Sequence, residues 1–144
     1  MGKMQRVKGK VFERKVAKLF REAYPFLDGI RRSQQGGGAE QSDVTGVPGL
    51  WIECQDARSP TPWAKLKQAI GDSIAAEERG EDARVPIAVT HRTGSRSVEV
   101  MLMLESLCAM QGQHLEYASH TPVTLSLDDF FALARSYVQR EAER

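Results

Sequence analysis

The stretch Val47-Pro48-Gly49-Leu50 constrains the chain more than any other. Pro48 has a fixed negative φ and Gly49 takes a positive one readily, the two requirements of a type II turn. The turn separates Ser42 to Gly46 from "LWIECQ", and both segments read as strands. A reversal this tight folds one strand back on the other. It leaves Asp43 opposite Glu53, or one residue off if a bulge intervenes. Glu53 is flanked by Trp51, Ile52 and Cys54, so its carboxylate enters the core, where an unpartnered charge is costly.

The remaining elements follow from period and punctuation. From about Gln5 to Tyr24, Phe12, Val16, Leu19, Phe20 and Ala23 recur at helical spacing until Pro25. "FLDGIRRS" reads as a strand, and "SQQGGGAEQ" as a loop without the Gly-Lys-Ser/Thr of a phosphate-binding motif. Trp63 to about Glu78 has helical character, with Trp63, Leu66, Ala69, Ile70 and Ile74 on one side. "VPIAVTH" and "SVEVMLML" read as strands paired across Thr93-Gly94-Ser95. Met101, Met103, Leu104 and Met110 read as core, with a dimer seam as the alternative use for some of them. "LDDFFALARSYVQREAER" forms a last helix capped by Ser126 or Asp128.

The chain of 144 residues suits one compact domain, read here as residues 1–144. A composition 41% hydrophobic and 27% charged is that of a soluble protein, and no apolar run approaches the ~20 residues of a spanning helix. The start, "MGKMQRVKGK", leads into an amphipathic pattern and not a secretory leader. Cys54 and Cys108 offer neither metal-ligand spacing nor a disulfide framework, so the expected compartment is a reducing cytoplasm.

The net charge of +1 hides an asymmetry: ten lysines and arginines against three acidic residues precede Ser33. Arg6, Lys10, Arg14, Lys18 and Arg21 form a basic stripe along the first helix, suited to a phosphate backbone, and Arg31, Arg32 and Arg58 extend the basic surface. Glu13 interrupts the stripe. It lies three, four and seven residues before Val16, Ala17 and Phe20, which puts it beside the apolar face, either paired with Lys10 or Lys18 or joined to other carboxylates. With Asp43 and Glu53 it makes an oxygen-rich corner suited to magnesium, which takes about six oxygen ligands and retains several waters. The carbonyl of Cys54 is a further candidate ligand. Such an ion supplies the main demands of phosphodiester hydrolysis, activating water and offsetting charge on the phosphate and leaving oxygen.

Glu13 on a basic first helix, Ser33 after a short strand, Asp43, and "IECQ" together resemble the PD-(D/E)xK nuclease superfamily. Within it, "KGKVFERKVAKLF", "RRSQQGGGAEQSDVTG" and "LWIECQ" are similar to the archaeal-type Holliday junction resolvases and their phage-encoded relatives, over roughly Lys8 to His91. The resemblance implies an α/β protein with a restriction-endonuclease-like αβββαβ core, a mixed sheet flanked by helices. It further implies a homodimer and magnesium- or manganese-dependent nicking of branched DNA such as a four-way junction. Asp43 and Glu53 match the metal-binding carboxylates, Glu13 the helix-borne acid and Ser33 the loop hydroxyl. The departure is Gln55, which stands where the superfamily usually has lysine. Glutamine can hydrogen-bond but brings no charge to the transition state. Lys65 or Lys67 on the following helix, or Arg58, is then expected to supply it. Without that charge the chain is a noncatalytic binder of branched DNA on the same fold; with it, a nuclease for flaps or plain duplex remains the other alternative.

Overall fold

A computed structural model describes residues 2–34, 41–116 and 120–144, so the glycine run expected in the first loop lies outside the described residues. Helix α1, Lys3–Ala23, buries Phe12, Val16, Ala17 and Phe20. It closes where the Tyr24 N–H donates to the Phe20 carbonyl at 2.8 Å, just before Pro25, which has no N–H to continue the ladder. Strands β1, Arg31–Arg32, and β2, Val44–Thr45, are short. Strand β3, Leu50–Ala57, is long and buried along its first half. Helix α2, Pro62–Glu78, crosses over to strand β4, Val85–Arg92, and a turn leads to strand β5, Val98–Met103. Helix α3, Leu104–Met110, strand β6, Pro122–Ser126, and helix α4, Leu127–Ala142, complete the chain.

The six strands form one mixed sheet in sequence order, β1 to β6. Among the described residues β3 and β4 are the parallel pair, as a helical crossover requires, and the other neighbours are antiparallel. Alternation along β3 divides the core in two. Leu50, Ile52 and Cys54 join Phe12, Val16 and Phe20 of α1 and Phe130, Ala134 and Val138 of α4, while Trp51 packs with Ala69 and Ala76 of α2 on the opposite face. The element order through β4 is α-β-β-β-α-β, as expected from the sequence.

Several expectations are corrected. The first strand shrinks to Arg31–Arg32 because the chain before it is held by aromatic packing instead of a ladder: Tyr24 lies 5.6 Å from Phe26 and 5.5 Å from Phe131 of α4. Helix α3 and strand β6 had no sequence counterpart. Of the four core candidates near β5, only Met110 is buried, while Met101, Met103 and Leu104 are half-exposed. Ser126, not Asp128, caps α4, its hydroxyl accepting from the Asp129 N–H at 3.1 Å. Among the described residues no helix is long and apolar enough to cross a membrane.

Two glycines hold the β2–β3 reversal. Gly49 has φ +82°, as the type II turn demands, and a Cβ there would meet the Tyr137 and Glu141 side chains at 2.7–2.8 Å. Gly46 has φ +91°, and a Cβ there would stand 2.0 Å from the Gly29 carbonyl oxygen. Side chains can swing aside and backbone cannot. Gly46→Ala is therefore expected to destabilise the fold by roughly 3 kcal/mol or more and Gly49→Ala by about half as much. Urea denaturation of the two variants checks the order, and an equal or reversed ranking contradicts it.

Candidate active site

Strand β2 pairs with β3 through Val44 opposite Ile52, and the ladder slips by one residue at Asp43, as it does where a bulge intervenes. The Asp43 N–H still donates to the Ile52 carbonyl at 2.9 Å. One step further the ladder changes character: the Cys54 N–H donates to Oδ2 of Asp43 at 2.8 Å, a side chain taking the place of β2 backbone. In a strand, a residue's N–H and C=O face the same neighbour. The Cys54 carbonyl consequently faces the same edge, beside Asp43.

The carboxyls of Glu13 and Glu53 both come within hydrogen-bonding reach of Asp43. Each is fixed by a different donor. Oε2 of Glu13 accepts from Nε of Arg32 at 2.8 Å, and Oε1 of Glu53 accepts from the Trp51 indole N–H at 2.9 Å. Glu53 is only 3% exposed. Its burial first, and then the Asp43 charge and a shared hydrogen bond with Asp43, push its pKa up to about 8, against the Trp51 N–H and the Lys65 charge. Glu13 is raised by burial and by Asp43, with Arg32 opposing. Burial, followed by Asp43, Glu13 and Glu53, raises the Cys54 thiol well above its usual value, so it is neutral there.

Carboxyls and a backbone carbonyl are the kind of oxygen donors that a hard divalent cation takes. Three carboxyls crowded through Asp43 repel unless protons or a cation intervene, and two carboxylates with a carbonyl and water satisfy magnesium. The convergence is pairwise: among the described residues no three His, Cys, Asp or Glu groups form a ready-made cage. Asp43, Glu53 and the Cys54 carbonyl would hold the ion, with Glu13 adjoining.

The other candidates divide. Lys65, half-buried in the first turns of α2, acts on both Glu53 and Cys54 through its charge. Lys67 is exposed, its Nζ 5.7 Å from the Trp63 ring, away from the cluster. Gln55 is held at both amide atoms: its Oε1 accepts from the Thr61 N–H at 2.8 Å and its Nε2 donates to the Thr61 hydroxyl at 3.1 Å. Ser33 is buried, donating from its hydroxyl to Gln41 Oε1 at 2.9 Å and from its N–H to the Asp43 carbonyl at 2.9 Å. Arg6, Lys10, Arg14, Lys18, Arg31 and Arg58 are exposed, with Lys18 at 4.0 Å from Glu22. Arg32 is turned inward onto Glu13, which pairs with it in place of Lys10 or Lys18.

Two contributors escaped the sequence reading. Trp51 stands two residues before Glu53 on the same face of β3, a period-two relation that was available. A second network joins α1 to the β4–β5 turn. Nδ1 of His91 lies 2.9 Å from Oδ1 of Asp56, and its Nε2 lies 2.6 Å from the Ser95 carbonyl oxygen. The His91 ring stacks on Phe12 at 5.7 Å, Lys8 Nζ lies 3.8 Å from Asp56, and Lys8 also donates to the Thr93 hydroxyl. These contacts dock α1 on the sheet at the residue preceding Glu13. Comparison with family models, with curated proteins and with solved structures finds no match.

The raised Glu53 sets a testable pH dependence. Between the usual 4.5 and about 8 the native carboxyl keeps a proton that the unfolded chain has released. Stability in chelator therefore falls as pH rises through that interval and levels off above it. Glu53→Gln, which keeps an acceptor for Trp51, is expected to flatten the slope and raise the melting temperature at alkaline pH by ~2–4 °C per kcal/mol relieved. Urea titrations across the pH series check this, and an unchanged slope in the variant contradicts it.

Proposed function

We propose that the chain is a divalent-metal-dependent, structure-selective DNA endonuclease with a restriction-endonuclease-like fold, and that it cuts four-way junctions as a homodimer. The observation that carries the reading is the convergence of Glu13, Asp43 and Glu53, from α1, β2 and β3, into one acidic cluster. The exposed basic residues of α1 support it, because Arg6, Lys10, Arg14 and Lys18 lie on the helix that carries Glu13 and can bring a polyanion to it. Such contacts are largely independent of base sequence, leaving the shape of the DNA to provide selectivity.

In the reaction, the oxygen of water bonds to phosphorus, the bond from phosphorus to one sugar oxygen breaks, and a proton from water ends on the leaving oxygen. Magnesium or manganese, when bound, supplies Lewis acidity to that exchange. The chain's own contribution is positional and electrostatic. The Cys54 N–H orients Asp43, the Trp51 N–H orients Glu53, and Arg32 holds Glu13 against repulsion by Asp43. Lys65 is the cation assigned the transition-state role that lysine at position 55 would have had. Gln55 fixes the N-terminal end of the helix that carries Lys65 through its two bonds to Thr61. Free cysteines, Cys54 buried and Cys108 half-buried, suit a reducing cytoplasm.

One observation favours a second reading. The Gln55 amide is held by Thr61 through both its oxygen and its nitrogen, which aims it at the start of α2, and it carries no charge. If Lys65 does not compensate, the chain is a noncatalytic module for branched DNA.

Cleavage of a junction, a flap and a plain duplex, with and without magnesium, separates these readings. Asp43→Asn and Glu53→Gln are expected to abolish magnesium-dependent junction cutting while binding persists. Lys65→Met is expected to lower the single-turnover rate by about 10²-fold. Undiminished cutting by either carboxylate variant overturns the assignment. Junction binding by the wild type without any metal-stimulated product establishes the binder.

A further inference from the structure

Helix α1 buries Phe12, Val16 and Phe20 on one side, and its opposite side carries a feature that neither core nor solvent explains. Met4, Val7 and Val11 are 86%, 54% and 56% exposed. At 3.6 residues per turn they share an arc of roughly 60° and extend about 10 Å along the helix. Two of the three are valines, β-branched residues that an exposed helical position does not favour. Lys3, Arg6, Lys10, Arg14, Lys15 and Lys18 flank them and are all exposed. Among the described residues the ion pair that these six make is that of Lys18 with Glu22. An apolar ridge thus stands in a basic field, on the helix that carries Glu13 to the acidic cluster.

The flanking charge decides the occupant. A second copy of this face would set like charges against each other, whereas a polyanion matches them. A membrane surface is also anionic, but helices that lie on one present a broad apolar face with Trp, Phe or Leu, and this ridge has none of these. We propose that Met4, Val7 and Val11 cover the unstacked bases at the branch point of a DNA junction, while Arg6, Lys10 and Arg14 hold the phosphates beside them. Branched DNA is the ligand of the nuclease reading, on which this assignment rests. In a continuous duplex each base is stacked on its neighbours, and apolar side chains set among the phosphates find nothing to cover. Where strands part, base faces meet water, and apolar side chains that cover or part them bury that surface. The ridge matches about three base steps of 3.4 Å. Met4, unbranched and polarisable, adapts to an irregular base face. Phosphate contacts position a protein on any duplex. The ridge then distinguishes a branch from a linear arm.

Binding of the full chain to a four-way junction and to a linear duplex, in chelator so that no cutting intervenes, tests the proposal. The triple variant Met4→Gln, Val7→Gln, Val11→Gln keeps the charge and replaces valine by a better helix former, so its circular dichroism is expected to match the wild type. Its junction affinity is expected to fall by about 30-fold and its duplex affinity by about twofold or less. Val7→Lys separates the ridge from simple electrostatics. It is expected to tighten duplex binding and raise its salt slope by about one, while weakening junction binding. A 2-aminopurine at the branch point is expected to brighten on wild-type binding, as its stacking is lost, and to stay dim with the triple variant. A wild type without junction preference, an unchanged junction-to-duplex ratio in the triple variant, or a branch-point 2-aminopurine that ignores the wild type overturns the proposal. So does a triple variant that loses only binding to phosphatidylserine vesicles, or only self-association in sedimentation, since the ridge would then serve a membrane or a second copy. Magnesium-dependent cutting is scored separately. A wild type that prefers junctions through the ridge but never cuts them ends the nuclease reading and upholds the ridge.

Discussion

A single hydrogen bond organises the site: the Cys54 N–H donates to the Asp43 carboxylate where β2 stops being a strand. A continuing β2 would cover that N–H and the neighbouring carbonyl with backbone, and both would be spent on the ladder. Because the side chain substitutes for backbone, Asp43 becomes rigid and the strand edge stays open beside it. Glu53 and Glu13 then both couple to Asp43, one from β3 and one from α1. A tight reversal and an early strand end thus concentrate negative charge at one place. The glycine turn, the docking of α1 through Phe12 and His91, and the Ser33 N–H on the Asp43 carbonyl all hold that arrangement.

The cluster also shows how a local conflict points to chemistry. Strand β3 is buried from Leu50 to Cys54, and an apolar residue at position 53 would suit it better than a carboxyl whose pKa rises to about 8. Sites that oppose their surroundings in this way are where function is sought, since stability is surrendered there for a purpose. A bound cation would reverse the balance, converting mutual repulsion into shared attraction. Arg32 and Lys65 moderate the repulsion meanwhile, one by a direct ion pair and one through its charge.

Much of this was legible in the sequence, for identifiable reasons. Helices α1 and α2 follow from three- and four-residue spacing, β3 from an apolar run after Pro48-Gly49, and the β4–β5 hairpin from its turn. Asp43 and Glu53 are near one another because the turn folds their strands together, and Glu13 couples to Asp43 from α1. Strands β1 and β6 were missed or overdrawn because two to five residues carry too little periodicity, and their pairing depends on neighbours distant in the chain. The half-exposure of Met101 and Met103 depends on which sheet face α2 leaves open, a property of packing and not of hydrophobicity. Side-chain commitments were the least visible: Gln55 on Thr61 and Arg32 on Glu13 join segments whose separation no local pattern encodes.

The central claim is that the cluster exchanges a proton for a divalent cation. Calorimetric titration of manganese into the metal-free protein near pH 7, repeated in two buffers of different ionisation enthalpy, tests it most directly. The account predicts saturable binding whose apparent enthalpy shifts with the buffer by about one released proton, and loss of that binding in Asp43→Asn. No binding, or binding that persists unchanged in Asp43→Asn, would contradict it.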